Sequence, residues 1–470
     1  MLIHKQNIFV IFLIGLILFS TSCGDSLDTE PKQSISSSLA LNDIEGARSL
    51  LNSVYDRLQP SAYYGRDQML QPEIMADNMR LTNSNSNRYV GERQNSPGSH
   101  MNRWINSYAA INEANSIITN IDNISASATD KAQLKAESLF LRGLLYFDLA
   151  RIYAYEPTKV VNGWNNGVII RLTPTLTITD SDLRARSTVE EVYLQIEKDL
   201  KDAIDLFPAV TSTTSRYRAN KTAAQALLAR VYLYWEKYTS AIQYATDALA
   251  SPIASLVPGT GFANAFQTAP NPESMFELSY VQATENLSAN DSPQSLTNNN
   301  LVGAWGDAVP TDEVYNLYED ADYRKTLFKE ATKGSESVFY LQKYTGARGA
   351  WTDNIPVIRY AEVLLIRAEA YAETEQLELA LKDLNTIRER SGASLIVSDS
   401  KEGVVDAILT ERRLELLFEG HRWFDLKRKG RDITKAGLSA VVPYDDYRIL
   451  GPIPTGQVTF NNKLKQNPGY

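Results

Sequence analysis

Cysteine is all but missing from this chain: 470 residues hold one, Cys23. A lone thiol excludes internal disulfides and any zinc site built on several thiolates. Histidine is nearly as scarce, with only His4, His100 and His421. His4 lies in the leader described below, so no metal site built on several histidines is available, and no cofactor or metal is expected. Cationic excess is absent too: 47 basic residues face 56 acidic ones, and the pI is near 5.2. A nucleic-acid partner requires a basic face to neutralise phosphate, so that class is disfavoured. Binding driven by anionic lipid is disfavoured for the same reason. Beyond the first twenty residues no apolar run approaches the roughly 18 that a membrane-spanning helix needs.

The amino terminus carries the first positive signal. Lys5 precedes twelve apolar residues, Ile8 to Phe19, and the small residues Ser20-Thr21-Ser22 follow. A positive start, an apolar core and a small-residue exit describe a secretory signal peptide over residues 1–22. Twelve residues are too few to span a bilayer, which takes roughly 20. Cys23 directly after such an exit resembles the lipobox of bacterial lipoproteins, in which the thiol is lipidated and becomes the new amino terminus. An ordinary signal peptide with an incidental cysteine is the other reading. Removal of the leader takes away one lysine, leaving 46 basic and 56 acidic residues and a net charge of −10. The expected protein is anchored to a membrane rather than threaded through it.

Residues 23–41, polar and serine-rich, read as a tether. Asn42-Asp43-Ile44-Glu45 looks like a capping box that opens a helix through Leu58. Apolar periodicity predicts further helices near 101–121, 131–154, 188–206, 221–236, 239–250, 311–319, 359–374, 376–391 and 403–419. Ser187-Thr188-Val189-Glu190 looks like a second capping box. Long loop-like stretches lie at 60–100, 155–186, 251–310 and 325–357, and loops of that length are usually functional or hold small structures of their own. A weak repeat is visible. Ala229 and Tyr232 are followed by Ala241, Ala245 and Ala248; Ala368 and Tyr371 are followed by Ala380; Gly143 and Tyr146 give the first half alone. Small residues let two helices approach while a tyrosine fills the space beside them, as in a tetratricopeptide pair. The fold class expected is all-α dominated, with tetratricopeptide-like pairs as scaffold, long ligand-binding loops and minor β structure.

Residues 411–430 read ERRLELLFEGHRWFDLKRKG, an amphipathic helix ending at Gly420 and then a dense aromatic and charged turn. Glu411, Glu415, Glu419 and His421 could serve as paired acids or metal ligands. Their i, i+4 rhythm beside Arg412 and Arg413 favours structural ion pairs instead, and HExxH is absent. This block resembles the carboxy-terminal signature of the SusD/RagB family of surface nutrient-binding lipoproteins. NIPVIRYAEVLLIRAEAYAE (354–373), KAESLFLRGLLYFDLARIYA (135–154) and WINSYAAINEANSIITNI (104–121) are similar to earlier helices of that family. The ending LGPIPTGQVTFNNKLKQNPGY is similar to its terminus, and Asp25, Asp28 and Glu30 to the acidic residues behind its lipidated cysteine.

The resemblance implies one SusD-like helical domain over 42–470, with an amino-terminal part at about 42–235 and a carboxy-terminal part at about 260–470. It implies a lipid-anchored protein on the outer membrane, facing the cell exterior. The implied partner is a SusC-like TonB-dependent β-barrel transporter, the implied ligand an oligosaccharide or sometimes a peptide, and no covalent chemistry is expected. A glycoside hydrolase, needing two carboxylates about 5–10 Å apart, and a helical adapter that binds only proteins remain the alternatives.

Sugars present apolar C–H faces rimmed by hydroxyls, so a site for them needs aromatic rings beside polar groups. Aromatics make up 10% of the chain, and many fall in the expected loops. Tyr63 and Tyr64, Tyr89 and Trp305 are the expected platform, with Asp77, Asn83 and Arg88 as polar contacts. Trp164 beside Asn165 and Asn166, and Trp351 beside Asp353, are held in reserve. Trp104 and Trp235 lie at helical spacing and Trp423 within the signature, so all three are expected in the core.

Overall fold

The computed structural model describes residues 41–470 apart from 282–284, 286, 290, 436, 439 and 440. The expected leader, Cys23 and the tether up to residue 40 lie outside the described residues. Sixteen α-helices and six short strands are present among the described residues. The chain opens with α1 (Ile44–Asp56), α2 (Asp67–Met75), β1 (Met79–Leu81), α3 (Val90–Gln94), α4 (Trp104–Asn120) and α5 (Ala128–Tyr153). It continues with α6 (Val189–Leu206), α7 (Lys221–Tyr234), α8 (Tyr238–Leu249), α9 (Phe262–Ala265), β2 (Ser274–Leu278) and α10 (Pro293–Thr297). Then come β3 (Ala308–Pro310), α11 (Asp312–Tyr315), β4 (Phe328–Lys333), β5 (Glu336–Leu341) and β6 (Ile355–Arg359). Helices α12 (Tyr360–Glu373), α13 (Leu377–Ser391), α14 (Lys401–Glu415), α15 (Arg422–Arg428) and α16 (Thr455–Phe460) close the chain. The strands pair antiparallel as β1–β3, β2–β6 and β4–β5.

The long helices stack in sequence. α1 packs on α4, α4 on α5, α5 on α6, α6 on α7, α7 on α8, α8 on α12, and α12 on α13 and α14. The alanines of the repeat explain the close approach. Ala229, Ala241, Ala245, Ala248, Ala368 and Ala380 are all fully buried between helices. The turns after Tyr232 and Tyr371 match bond for bond. Lys237 N–H donates to Tyr232 O at 3.0 Å and Gln376 N–H to Tyr371 O at 2.9 Å. Glu236 and Glu375 occupy the left-handed region at the same point of each turn, with φ of 57° and 61°. Gly143 plays the small-residue part in α5, where an added Cβ would come within 3.1 Å of the Leu200 side chain on α6.

Local signals were partly displaced. The helix start at α1 is capped by Asp43, whose side chain accepts from Gly46 N–H at 2.8 Å, without a reciprocal glutamate. The box at α6 is Thr188 with Glu191, one residue later than the expected pair. The helix expected over 311–319 is the single turn α11. Helix α14 stops at Glu415 rather than reaching residue 419, because Phe418 and Gly420 adopt φ of 64° and 80°. That turn swings Glu419 away from the helix and onto Arg359 and Lys343. Gly420 is required there, since a Cβ would lie 2.1 Å from the Gln68 carbonyl oxygen.

The glutamates of the signature are structural. Glu415 meets Arg359 at 2.7 Å, Arg324 at 2.9 Å and Arg390 at 2.7 Å. Burial opposes its ionisation, but these guanidiniums hold it well below the usual carboxylate range. Glu411 pairs with Arg324 at 2.5 Å and Arg388 at 2.8 Å. His421 is pushed down to about 4 by burial and is therefore neutral at physiological pH. On α2, the Glu73 carboxylate accepts the N–H groups of Gly420 and His421, each at 3.1 Å, at the start of α15. A carboxylate is favoured at a helix amino terminus, and here it ties the two ends of the chain together.

Trp104, Trp235 and Trp423 are buried, as the sequence predicts, at 2%, 7% and 1% exposure. Trp423 sits edge-on to His100, ring centres 5.7 Å apart. Truncation of a fully buried tryptophan leaves a large cavity, so Trp423→Ala is expected to lower stability by about 3–5 kcal/mol. Denaturant unfolding measures this, and a wild-type midpoint would show that the signature turn is not part of the core.

Candidate functional site

Strands β1 and β3 bring two distant loops side by side. Arg80 faces Val309 and Leu81 faces Ala308, and Thr82 N–H extends the ladder to Asp307 O at 2.8 Å. Beyond this clamp the 82–89 loop rises next to the 298–307 loop. Arg80 pairs with Glu336 of β5 at 3.0 Å, and Asn83 N–H donates to the same carboxylate. The Ser86 hydroxyl donates to the buried Asp307 carboxylate. These bonds place the Arg88 guanidinium over the Trp305 ring, 4.6 Å from its centre. Trp305 keeps 38% of its surface exposed, and Asn83 and Asn87 are exposed alongside it.

The asparagine richness of these loops has mostly a backbone cause. Asn85 Oδ1 accepts from Asn87 N–H at 2.8 Å, and Asn87 itself sits at φ 64°, the usual preferences of asparagine in turns. Asn298 is buried and uses its side chain on Asn299 N–H, Asn300 N–H and Tyr344 O. Only part of the polar content of the loops therefore faces outward.

The expected platform is accordingly divided. Arg88 lies against Trp305, and Asn83 is exposed on the same 82–89 loop as Arg88. Tyr63 and Tyr64 do not join them: they are 1% and 4% exposed, and both hydroxyls donate to Asp148 on α5, at 2.6 and 2.9 Å. Their rings lie in the core, where a sugar cannot stack. Tyr89 is also buried, at 8% exposure, with its hydroxyl donating to Asp67 and Arg66 over its ring. Asp77 forms a bidentate pair with Arg422, at 2.6 and 2.8 Å, and lies 3.3 Å from Arg413. Burial opposes its ionisation, but Arg422 prevails and lowers its pKa. Asp77 is a joint between α2 and α15 rather than a ligand contact. The partners Asp148 and Arg422 lie 84 and 345 residues away in sequence from Tyr64 and Asp77, which no local pattern reveals.

A second loop adjoins the first. Asn300 Nδ2 donates to Gln342 at 2.5 Å, and Asn298 Nδ2 to Tyr344 O at 3.3 Å. The 298–306 loop is thereby stitched to the 342–352 segment, which contains Trp351. Asp353 supports that segment by accepting Gly346 N–H at 2.8 Å. Burial pushes its carboxyl up to about 6. Trp164 packs against the core and donates its indole N–H to Asn467 at 3.1 Å, which makes it structural.

A separate apolar groove of about 320 Å³ lies between α4, the 169–183 segment and α16, lined by Trp104, Ile105, Tyr108, Ile178, Phe460 and Leu464 among others. Its asparagines are committed within the fold: Asn112 bonds Thr175, Asn115 bonds Arg171 O and Arg142, and Asn461 bonds Arg184 O. It offers apolar contact but few of the polar partners that a sugar needs. Among the described residues no helix is long and apolar enough to cross a membrane.

Two protein-family models match the chain. One, described as SusD-like, "Starch-binding associating with outer membrane", covers residues 25–233; the other, described as "SusD family", covers 331–470. The SusD-like protein P38 of Formosa agariphila is 27% identical over 525 aligned positions, spanning 99% of each chain. SusD-like protein P2 of the same organism is 26% identical, over 98% of this chain and 99% of its own. A SusD superfamily protein from Bacteroides thetaiotaomicron superposes with a TM-score of 0.81 at 27% identity, covering 91% of this chain and 100% of that one. A SusD-like carbohydrate binding protein from Bacteroides vulgatus shares the fold at a TM-score of 0.80 and 22% identity, over 90% and 97% of the two chains. SusD-like proteins as a family are outer-membrane-associated sugar-binding proteins rather than enzymes, and work in general with SusC-type transporters. The helix-dominated fold, the signature at residues 411–430 and these matches lead to one conclusion: the chain belongs to the SusD family.

Proposed function

We propose that this protein captures an oligosaccharide at the outer face of the outer membrane and passes it to a SusC-like TonB-dependent transporter. The observation behind this reading is the Trp305 ring. It stays partly exposed on a loop cluster that the β1–β3 ladder holds in place, with Arg88 against it and Asn83 exposed on the loop that carries Arg88. Such a ring can stack on the C–H face of a sugar while the polar neighbours meet its hydroxyls. The conspicuous acids of the signature support binding rather than hydrolysis, since Glu411, Glu415 and Glu419 are buried and paired with arginine or lysine. In this reading Cys23 holds the lipid anchor and residues 24–41 let the domain reach the transporter.

Stacking of a flat ring on an aromatic side chain contributes about 1–3 kcal/mol, by analogy with base stacking. Trp305→Ala is therefore expected to weaken oligosaccharide binding about tenfold or more while leaving folding intact. Calorimetric titration of both proteins with a panel of oligosaccharides measures it. Equal affinities would remove Trp305 from the site, and a wild type that binds peptides but no glycan would make the ligand a peptide.

Stable membrane attachment takes two acyl chains or more. Cys23→Ser is expected to move the protein out of the membrane fraction on cell fractionation. Retention at wild-type levels would contradict the anchor.

A further inference from the structure

Four of the six tryptophans belong to the core or lie against it: Trp104, Trp164, Trp235 and Trp423. The other two, Trp305 and Trp351, keep part of their surface exposed, and both are fastened to the same five-residue helix, α10. Ser295 O accepts Trp305 N–H and Gly306 N–H, each at 2.8 Å. The neighbouring Gln294 offers its side-chain oxygen to Trp351 N–H at 2.7 Å. Gln294 is only 2% exposed, so this acceptor is held within the fold.

Trp351 is also in an uncommon backbone state. Its φ of 66° lies in the left-handed region, which disfavours a bulky side chain. The bond from Trp351 N–H to Gln294 and the bond from Leu287 N–H to Trp351 O, at 3.1 Å, keep it there. Strained residues of this kind concentrate at ligand sites, where surrounding structure over-determines them. Here the strain fixes a partly exposed indole in a segment already stitched to the Trp305 loop.

We infer that Trp351 is a second stacking ring of the ligand face and that Gln294 positions it, so that α10 sets two tryptophans for one extended oligosaccharide. This rests on the sugar-binding reading above and adds a length requirement to it. A short sugar engages one ring; a longer chain engages both. Gln294 is a positioning residue, since it touches the Trp351 backbone rather than the ligand. The Gln294 side chain also bonds the Asp353 carboxyl, on which Arg348 and the Tyr344 hydroxyl act as well.

The test uses the detergent-solubilised full chain and two readouts. Without ligand, ¹⁵N-labelled tryptophan gives separate indole signals, assigned with single Trp→Phe variants. Gln294→Met keeps the shape of the side chain and removes the acceptor for Trp351 N–H together with the side-chain bond to Asp353. It is expected to shift the Trp351 and Trp305 signals together and leave Trp104, Trp235 and Trp423 in place. A shift confined to Trp351 would overturn the coupling through α10. With ligand, titration uses linear oligosaccharides from disaccharide to heptasaccharide of the glycan that wild type binds. Trp351→Ala is expected to lower affinity about tenfold for the longest and less than twofold for the disaccharide. A loss independent of length, or no loss, would overturn the second ring alone. Failure of wild type to bind any glycan would overturn this inference together with the sugar-binding reading.

Discussion

Glu415 is the point on which the carboxy-terminal half is assembled. Its carboxylate is out of contact with water and meets three guanidiniums, from Arg324, Arg359 and Arg390. A buried charge costs several kcal/mol unless it is fully paired, and loss of one partner costs about 3–5 kcal/mol. The arrangement therefore permits little drift. It fixes the end of α14 against α13, the β6–α12 junction and the Asp322–Arg324 turn at once. Lys343, which donates to Glu415 O and Glu419, extends the same network toward the segment that holds Trp351.

Rigid helices alone would not give two loops a common surface. The three-residue ladder β1–β3 does so, joining residues more than two hundred apart in the chain. Helix α10 then sits under the loops and spends its own polar groups on their backbones. A scaffold of this kind suits binding by a preformed face, because the ordering of the loops is already accomplished before ligand arrives.

The helical frame was legible in the sequence because its signals are local. Alanine spacing marked the tight pairs, and the i, i+4 rhythm of Glu411 and Glu415 marked ion pairing rather than chemistry. The carboxy-terminal turn was legible only in part. The apolar pattern runs on to residue 419, but Phe418 takes a left-handed turn that only the surrounding tertiary contacts support. Among the candidate site residues, Tyr63, Tyr64 and Tyr89 resembled surface aromatics because their stretch is polar and glycine-containing. Their rings pack into the core and their hydroxyls bond Asp148 on α5 and Asp67 on α2, partners that meet them only after folding. Trp305 and Arg88 met as expected, although the ladder that brings them together is three residues long and leaves almost no mark in the sequence. Gln294 escaped notice altogether, since one glutamine in a polar loop gives no signal.

The central claim is that ligand meets the chain on the Trp305 loops and nowhere else along the helical frame. Hydrogen exchange of backbone amides, with and without the oligosaccharide that the protein binds, tests this across the whole chain. The account predicts slower exchange in residues 82–89, 298–306 and 345–352, and unchanged exchange in α4 and α16. Protection centred on the groove between α4 and α16, with the three loops unaffected, would contradict it.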